Sequence, residues 1–266
     1  MKNVNSLTRP AAVAGMFYAA DSDQLSADVK HYLSQAQNHS NISPKAIIAP
    51  HAGHMYSASV AASAYKLLEP EADKIKQVIL LGPSHRVAFR GIATPAADFF
   101  ETPLGRIKIN AQFCKKAELL DFVQASQLAH SEEHSLEVHL PFLQILFKDF
   151  ELTPFVVGDC NRHDVAKLLE LFWGSSETLF IISTDLSHFH NYTTATQQDR
   201  LTSNAIESVQ PEKINYEDAC GRRPLNGLLT LAKKYQLNIK LLDLRNSGDT
   251  AGDKNRVVGY GAYVVY

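Results

Sequence analysis

Short, continuous apolar runs alternate along the chain with longer stretches in which apolar residues recur every three or four positions. Residues 45–50 (KAIIAP), 77–82 (QVILLG), 151–158 (ELTPFVVG) and 178–183 (TLFIIS) are short and rich in β-branched side chains, the pattern of strands buried on both faces of a parallel sheet. Residues 56–68, 135–147 and 164–173 carry helical spacing and have the length of crossover connections, with Pro141 expected to kink the second of them. A further helix is predicted over 193–209 and another from Pro224, since proline suits the first helical turn. Two more strands, 239–245 and 257–265, close the chain, and the segment NSGDTAGDKN between them (246–255) reads as a loop. The two prolines and two glycines of 91–109 predict a side hairpin rather than a core strand. No internal repeat or Pro/Ser-rich linker divides the chain. The pattern therefore predicts one α/β domain over residues 1–266, with helices covering a mainly parallel central sheet.

Composition narrows the class without changing that architecture. The 266 residues are 45% hydrophobic and 20% charged, as in ordinary globular proteins, and a chain of this size needs neither disulfide nor metal merely to fold. Twenty-six basic against 28 acidic residues give a net charge of −2, which supplies no cationic field for nucleic acid or anionic lipid. No apolar stretch approaches the roughly 18 residues of a membrane span. The uncharged run 11–20 follows Pro10, contains Gly15 and lacks Leu and Ile, so it reads as folded chain rather than a signal peptide. Cys114, Cys160 and Cys220 are odd in number and far apart, which argues for a reducing cytoplasm and against a disulfide framework.

The candidate chemistry lies where apolar runs end. KAIIAP leads to His51 and His54, QVILLG to His85, and TLFIIST to Asp185, His188 and His190. Ligands of open α/β sheets bind outside the carboxyl ends of the strands, so these turns place imidazoles and a carboxylate on one rim. A single histidine in such a turn is most simply a surface or capping residue; three coincidences favour a site. Clustered imidazoles suit metal binding or proton transfer, and spacing alone does not choose between them. His54 reads better as a helix-start or supporting residue than as a ligand. In EEHSLEVH (132–139) the simplest reading is a helix start with Ser131 as cap, leaving His134 as a supporting or substrate-facing residue. Cys220 precedes Arg222, Arg223 and a helix start, surroundings expected to lower its pKa, although a small buried apolar cysteine is the commoner fate. Arg222 and Arg223 either receive an anionic group or are solvated. His31, His39 and His163 read as scattered surface residues.

The segments PHAGHMYS (50–57), LGPSH (81–85), EEHSLEVHLPF (132–142), STDLSHF (183–189) and CGRRP (220–224) together resemble the Memo family, as do AGMFY (14–18), NSGD (246–249) and Gly259-Tyr260. That family is similar to the class III extradiol dioxygenases. The resemblance implies their αβα fold, a metal at the carboxyl rim held by His51, His85 and Cys220, and Asp185 and His188 as further site residues. Cys220 stands where the dioxygenases have a glutamate, exchanging a hard oxygen ligand for a soft thiolate. The resemblance also implies iron or copper, redox chemistry, an anionic peptide ligand and a radical-enzyme partner.

Three functions are then expected. The first is a metal-dependent redox protein or oxygenase-type enzyme with one Fe(II) or Cu ion, His188 as general acid/base and Asp185 beside it. The second keeps the ligands but holds zinc and hydrolyses an ester or amide. The third is non-catalytic, a pocket that binds an anionic peptide or small molecule through Arg222, Arg223 and the helix start at Pro224.

Overall fold

The computed structural model describes residues 6–37 and 42–266; His39 lies outside the described residues. Among the described residues the strands, in chain order, are β1 Thr8–Arg9, β2 Ala46–Ala49, β3 Gln77–Pro83, β4 Ile92–Thr94, β5 Phe99–Thr102, β6 Gly105–Lys108, β7 Val123–Ala125, β8 Glu151–Val157, β9 Thr178–Ser183, β10 His188–His190, β11 Ile239–Asn246 and β12 Val257–Val265. The main sheet runs β10-β12-β2-β9-β3-β8-β4-β7, with β11 also paired to β12. Its centre is parallel: β2 with β9, β9 with β3, and β3 with β8. The flanks are antiparallel, where β12 meets β2 and β4 meets β8.

Side chains on the central strands alternate between two separate cores. Ile47, Val78, Leu80, Leu179 and Ile181 face one, whereas Ile48, Ile79, Leu81, Phe180 and Ile182 face the other. This is why the runs are apolar throughout rather than every second residue. Helices Ser22–Gln35, His54–Tyr65 and Leu140–Leu146 cover the first face. Helices Arg162–Glu170 and Arg222–Tyr235 cover the second, together with Ala205 and Ile206 of Tyr192–Glu207. Each fully buried Leu or Ile contributes about 1.5–3 kcal/mol, so the two cores stabilise the sandwich far more than any one polar contact. No helix of the described residues is long and apolar enough to cross a membrane.

Several boundaries differ from the sequence reading for identifiable reasons. The expected helix over 135–147 is two helices, His134–Glu137 and Leu140–Leu146. Pro141 has no N–H to give the preceding turn and instead occupies the first turn of the second helix. Ser131 is not the cap of the first: it ends the preceding helix Gln127–Ser131, and the Glu133 carboxylate caps by accepting from the Ser135 N–H at 2.9 Å. The expected excursion 91–109 divides, with β4 joining the main sheet while β5 and β6 form a hairpin that pairs with β1. Within the 246–255 loop, Asn246 caps a single turn, Ser247–Thr250. Helix Ser22–Gln35 escaped the sequence reading although its buried residues, Leu25, Val29 and Leu33, recur every fourth position.

Candidate metal centre

The strand order makes the rim. Because β9 lies between β2 and β3, the turns carrying His51, Asp185 and His85 leave adjacent carboxyl ends. His134 comes from the β7–β8 connection, where the Ser135 hydroxyl donates to the Pro83 carbonyl at 2.8 Å and holds the helix against the end of β3. A side chain at Gly82 would meet Ser135 Oγ at 2.6 Å, so the strand end must stay bare for this approach.

One ligand atom from each of His51, His85 and His134 lies within 4.8 Å of the others. The rings stack or meet edge to face at centroid distances of 4.6 to 5.7 Å. Nitrogens about 2.1 Å from a tetrahedral ion stand about 3.4 Å apart, so side-chain rotations that draw these atoms together by no more than about 1.5 Å would close the set. Ser183 Oγ donates to the Ser135 carbonyl at 2.6 Å, and therefore accepts from His51 Nδ1, also at 2.6 Å. Glu133 Oε1 accepts from His85 Nδ1 at 2.9 Å. Both rings thus carry their proton on Nδ1 and keep the Nε2 lone pair for an ion. Burial first, then repulsion from neighbouring imidazoles, holds His51 well below the usual histidine range and brings His134 down to about 4. These residues are neutral at pH 7, the state in which imidazole binds metal.

Glu133 is the supporting residue that sequence reasoning missed. Its carboxylate accepts from the His85 backbone N–H at 2.5 Å as well as from the ring, and its Oε1 lies 3.5 Å from His134 Nδ1. Burial alone would raise its pKa, but hydrogen bonds and charge from His85 outweigh that and bring it down to about 2. Behind it, Arg9 donates to the carbonyls of His130 and Glu133 and pairs with Glu137 at 2.5 Å. The only hint in the sequence was two acidic residues beside His134.

The other candidates divide. Cys220 lies at the rim, its Sγ 3.3 Å from His51 Nε2, but outside the three-imidazole group. Its thiol is not activated as expected. Burial and the Asp185 carboxylate push its pKa up, because the two arginines turn elsewhere: Arg223 pairs with Asp159 at 2.5 Å and Arg222 lies over the Tyr216 ring. Asp185 is buried and braces the loops, accepting the His51 N–H at 2.7 Å through Oδ1 and the Cys220 N–H at 3.3 Å through its carbonyl. Gly221 allows the Cys220 turn to lie on the end of β9, where an added Cβ would meet the Ser183 carbonyl oxygen at 2.5 Å. His188 donates from Nδ1 to the Leu186 carbonyl at 2.8 Å, leaving Nε2 as a proton acceptor. His85, His188, Cys220 and Arg222 all line one cleft of about 560 Å³. His134 moves from supporting residue to the ligand group. His54 does the reverse of a ligand: it starts its helix, donates from Nε2 to the Val138 carbonyl at 3.0 Å and packs between Tyr18 and Phe142. His31 and His163 are exposed, as expected.

His130 and His139 sit in the same element cluster but serve the core, bonded to the Ala93 carbonyl and the Tyr65 hydroxyl. Burial brings them down to about 4 and about 3. Below their ordinary value of 6.5 the unfolded chain takes up two protons that the folded chain refuses until those lower values, so folding stability falls as pH drops from 6.5 towards 4. Urea midpoints measured across that range should decline steadily, and those of a His130→Gln, His139→Gln variant should decline less.

Residues 9–264 match the family described as Memo-like protein. A MEMO1 family protein of Aquifex aeolicus is 34% identical over 95% of this chain and 97% of its own length. One of Methanosarcina mazei is 34% identical over 97% and 98%, and Protein MEMO1 of Xenopus tropicalis 30% identical over 98% and 99%. The crystal structure of an uncharacterized protein from Escherichia coli K12 shares the fold, with a TM-score of 0.57 at 11% identity over 84% of this chain and all of that one.

Proposed function

This chain belongs to the Memo family, and from that premise we propose that it is a metal-dependent redox or oxygenase-type protein acting on a small molecule held in the rim cleft. One observation carries the reading: three imidazoles converge, two of them with Nε2 freed by fixed Nδ1 hydrogen bonds. Imidazole donors suit Fe(II), Cu and Zn, and we favour iron or copper, with Cys220 as a further soft ligand beside His51. Such an ion, held by His51, His85 and His134, would supply Lewis acidity or electron transfer beside the cleft that His85 and Cys220 line. His188 takes or returns a proton at Nε2 where the substrate sits, and Asp185 holds the His51 and Cys220 turns in register.

Metal analysis of the purified protein tests this directly. About one iron or copper per chain is expected, with the metal lost in His51→Ala and His85→Ala and weakened in His134→Ala and Cys220→Ala. Metal retained in His134→Ala but lost in Cys220→Ala would restore a His, His, Cys ligand set. Protein that binds no added iron, copper or zinc would overturn the reading. A three-imidazole set also suits catalytic zinc, so the hydrolase remains the second reading. Zinc in the protein, with no oxygen uptake on catechols and with ester hydrolysis that needs the metal, would select it.

A further inference from the structure

Asp199 is a buried carboxylate that the chemistry described above leaves unused. It belongs to the buried face of helix Tyr192–Glu207 and is 2% exposed, and among the described residues no lysine or arginine pairs with it. A carboxylate in such a place is costly, and burial raises its pKa although His188 and His190 pull it the other way.

Its neighbours are the turn that carries His188 and the backbone of β12. Asp199 Oδ1 accepts the Ser187 N–H at 2.9 Å. The carboxylate also lies against Gly259 of β12, where an added Cβ would stand 2.0 Å from Oδ2 and 2.6 Å from Oδ1. Gly259 in turn accepts the Leu186 N–H and donates to the Ser187 carbonyl, each at 2.8 Å. Residues 186 and 187 are therefore held from the helix and from the strand at once.

Two features of the next residues depend on that hold. His188 donates from Nδ1 to the Leu186 carbonyl at 2.8 Å, so fixing Leu186 fixes the ring. Phe189 then has a φ of +64°, left-handed backbone that a bulky residue rarely adopts, where β10 shifts register against β12. Strain of this kind persists only where the surrounding structure over-determines it, and Phe189, 60% exposed, supplies no such constraint by its own burial.

We propose that Asp199 is a positioning residue, which through the Ser187 N–H and its seat on Gly259 fixes the turn that holds the His188 ring at the cleft wall. The proposal rests on the reading of His188 as the group that takes or returns a proton, and it concerns the orientation of that ring.

Nitrogen-15 NMR of the imidazoles tests it on the full-length protein at about pH 8, where an unperturbed histidine is neutral. The His188 signals, assigned by their loss in His188→Gln, should show the proton on Nδ1. Asp199→Ala should shift the ring to a mixture of both neutral forms. Asp199→Asn keeps an oxygen for the Ser187 N–H and should retain the parent signals. Val165→Ala opens a cavity in the core of the same sheet face away from the turn, and should lower the urea midpoint without moving the His188 signals. Gly259→Ala should act as Asp199→Ala does, yet cost much less stability in the Asp199→Ala background, where its Cβ meets no carboxylate. Should Asp199→Ala not fold, Gly259→Ala carries the same test. A proton on Nε2 in the parent, unchanged signals in Asp199→Ala or Gly259→Ala, a mixture in Asp199→Asn or Val165→Ala, or additive stability losses would each overturn the proposal. The readout needs neither metal nor substrate, so its failure leaves the metal-dependent function standing, and a chain that binds no metal can still pass it.

Discussion

Glu137→Ala should lower the unfolding free energy by about 3–5 kcal/mol, the largest stability effect of any single polar substitution we expect in this chain. The Arg9 guanidinium is 1% exposed and Glu137 fully buried. Their ion pair is enclosed by further bonds: Arg9 Nε donates to the His130 carbonyl at 2.7 Å and Nη2 to that of Glu133 at 2.8 Å. The Glu137 carboxylate also accepts from the N–H groups of Ala12 and Val13 and from the Tyr18 hydroxyl, at 2.8, 3.0 and 2.5 Å. Removing the carboxylate strands a buried cation and three donors at once, and desolvation of an unpaired charge far exceeds the loss of a single hydrogen bond. An Arg9→Met, Glu137→Leu double variant should be less damaged than Glu137→Ala, because no unpaired charge remains. Urea unfolding monitored by circular dichroism measures both. A loss below about 1 kcal/mol for Glu137→Ala would show that water reaches the pair in solution.

Glu133→Gln should weaken metal binding by about 10–100-fold while leaving the three imidazoles in place. The carboxylate receives three N–H donors, from the His85 ring, the His85 backbone and Ser135. A glutamine offers one oxygen, and its NH2 must face one of those donors. His85 then loses either the hydrogen bond that fixes its Nδ1 proton or the one that fixes its backbone. Glu133 is brought down to about 2, so its stabilisation is present above its ordinary value of 4.5 and is lost only as pH falls towards 2. Metal released as pH falls to about 4 is therefore not the work of protons on Glu133. Chelator competition with cobalt(II) gives the affinity, and the visible cobalt spectrum reports the altered ligand field. An unchanged affinity and spectrum would remove Glu133 from the site.

Much of the scaffold was legible because its signals are local. The four central strands and the covering helices other than Ser22–Gln35 announce themselves through apolar runs and periodicity, and the boundaries of Thr178–Ser183 and Val257–Val265 were read to the residue. His51, His85, His188, Asp185 and Cys220 were legible as rim residues because each follows such a run or resembles a family segment. The misreadings concern what a side chain meets after folding. Cys220 beside two arginines in sequence suggested an activated thiol, yet in space burial and the Asp185 charge push its pKa up, and the arginines lie against Asp159 and Tyr216. His134 looked like part of a helix start because nothing in EEHSLEVH says which strand end that helix will meet.

Periodicity and residue type were sufficient for the layers, the crossover helices and the placing of imidazoles at strand ends, since each depends on neighbours within a few positions. The strand order was not, and the site depends on it. Inserting β9 between β2 and β3 brings residues 51, 85 and 185 together, and the β7–β8 connection adds residue 134. The same long-range packing buries Arg9 against Glu137, 128 residues away, and turns Glu133 from one of two adjacent acids into the residue that orients His85. Proton states, ligand geometry and the exposure of Phe189 follow from desolvation and contacts between distant segments. No local pattern encodes these quantities, and only the folded chain sets them.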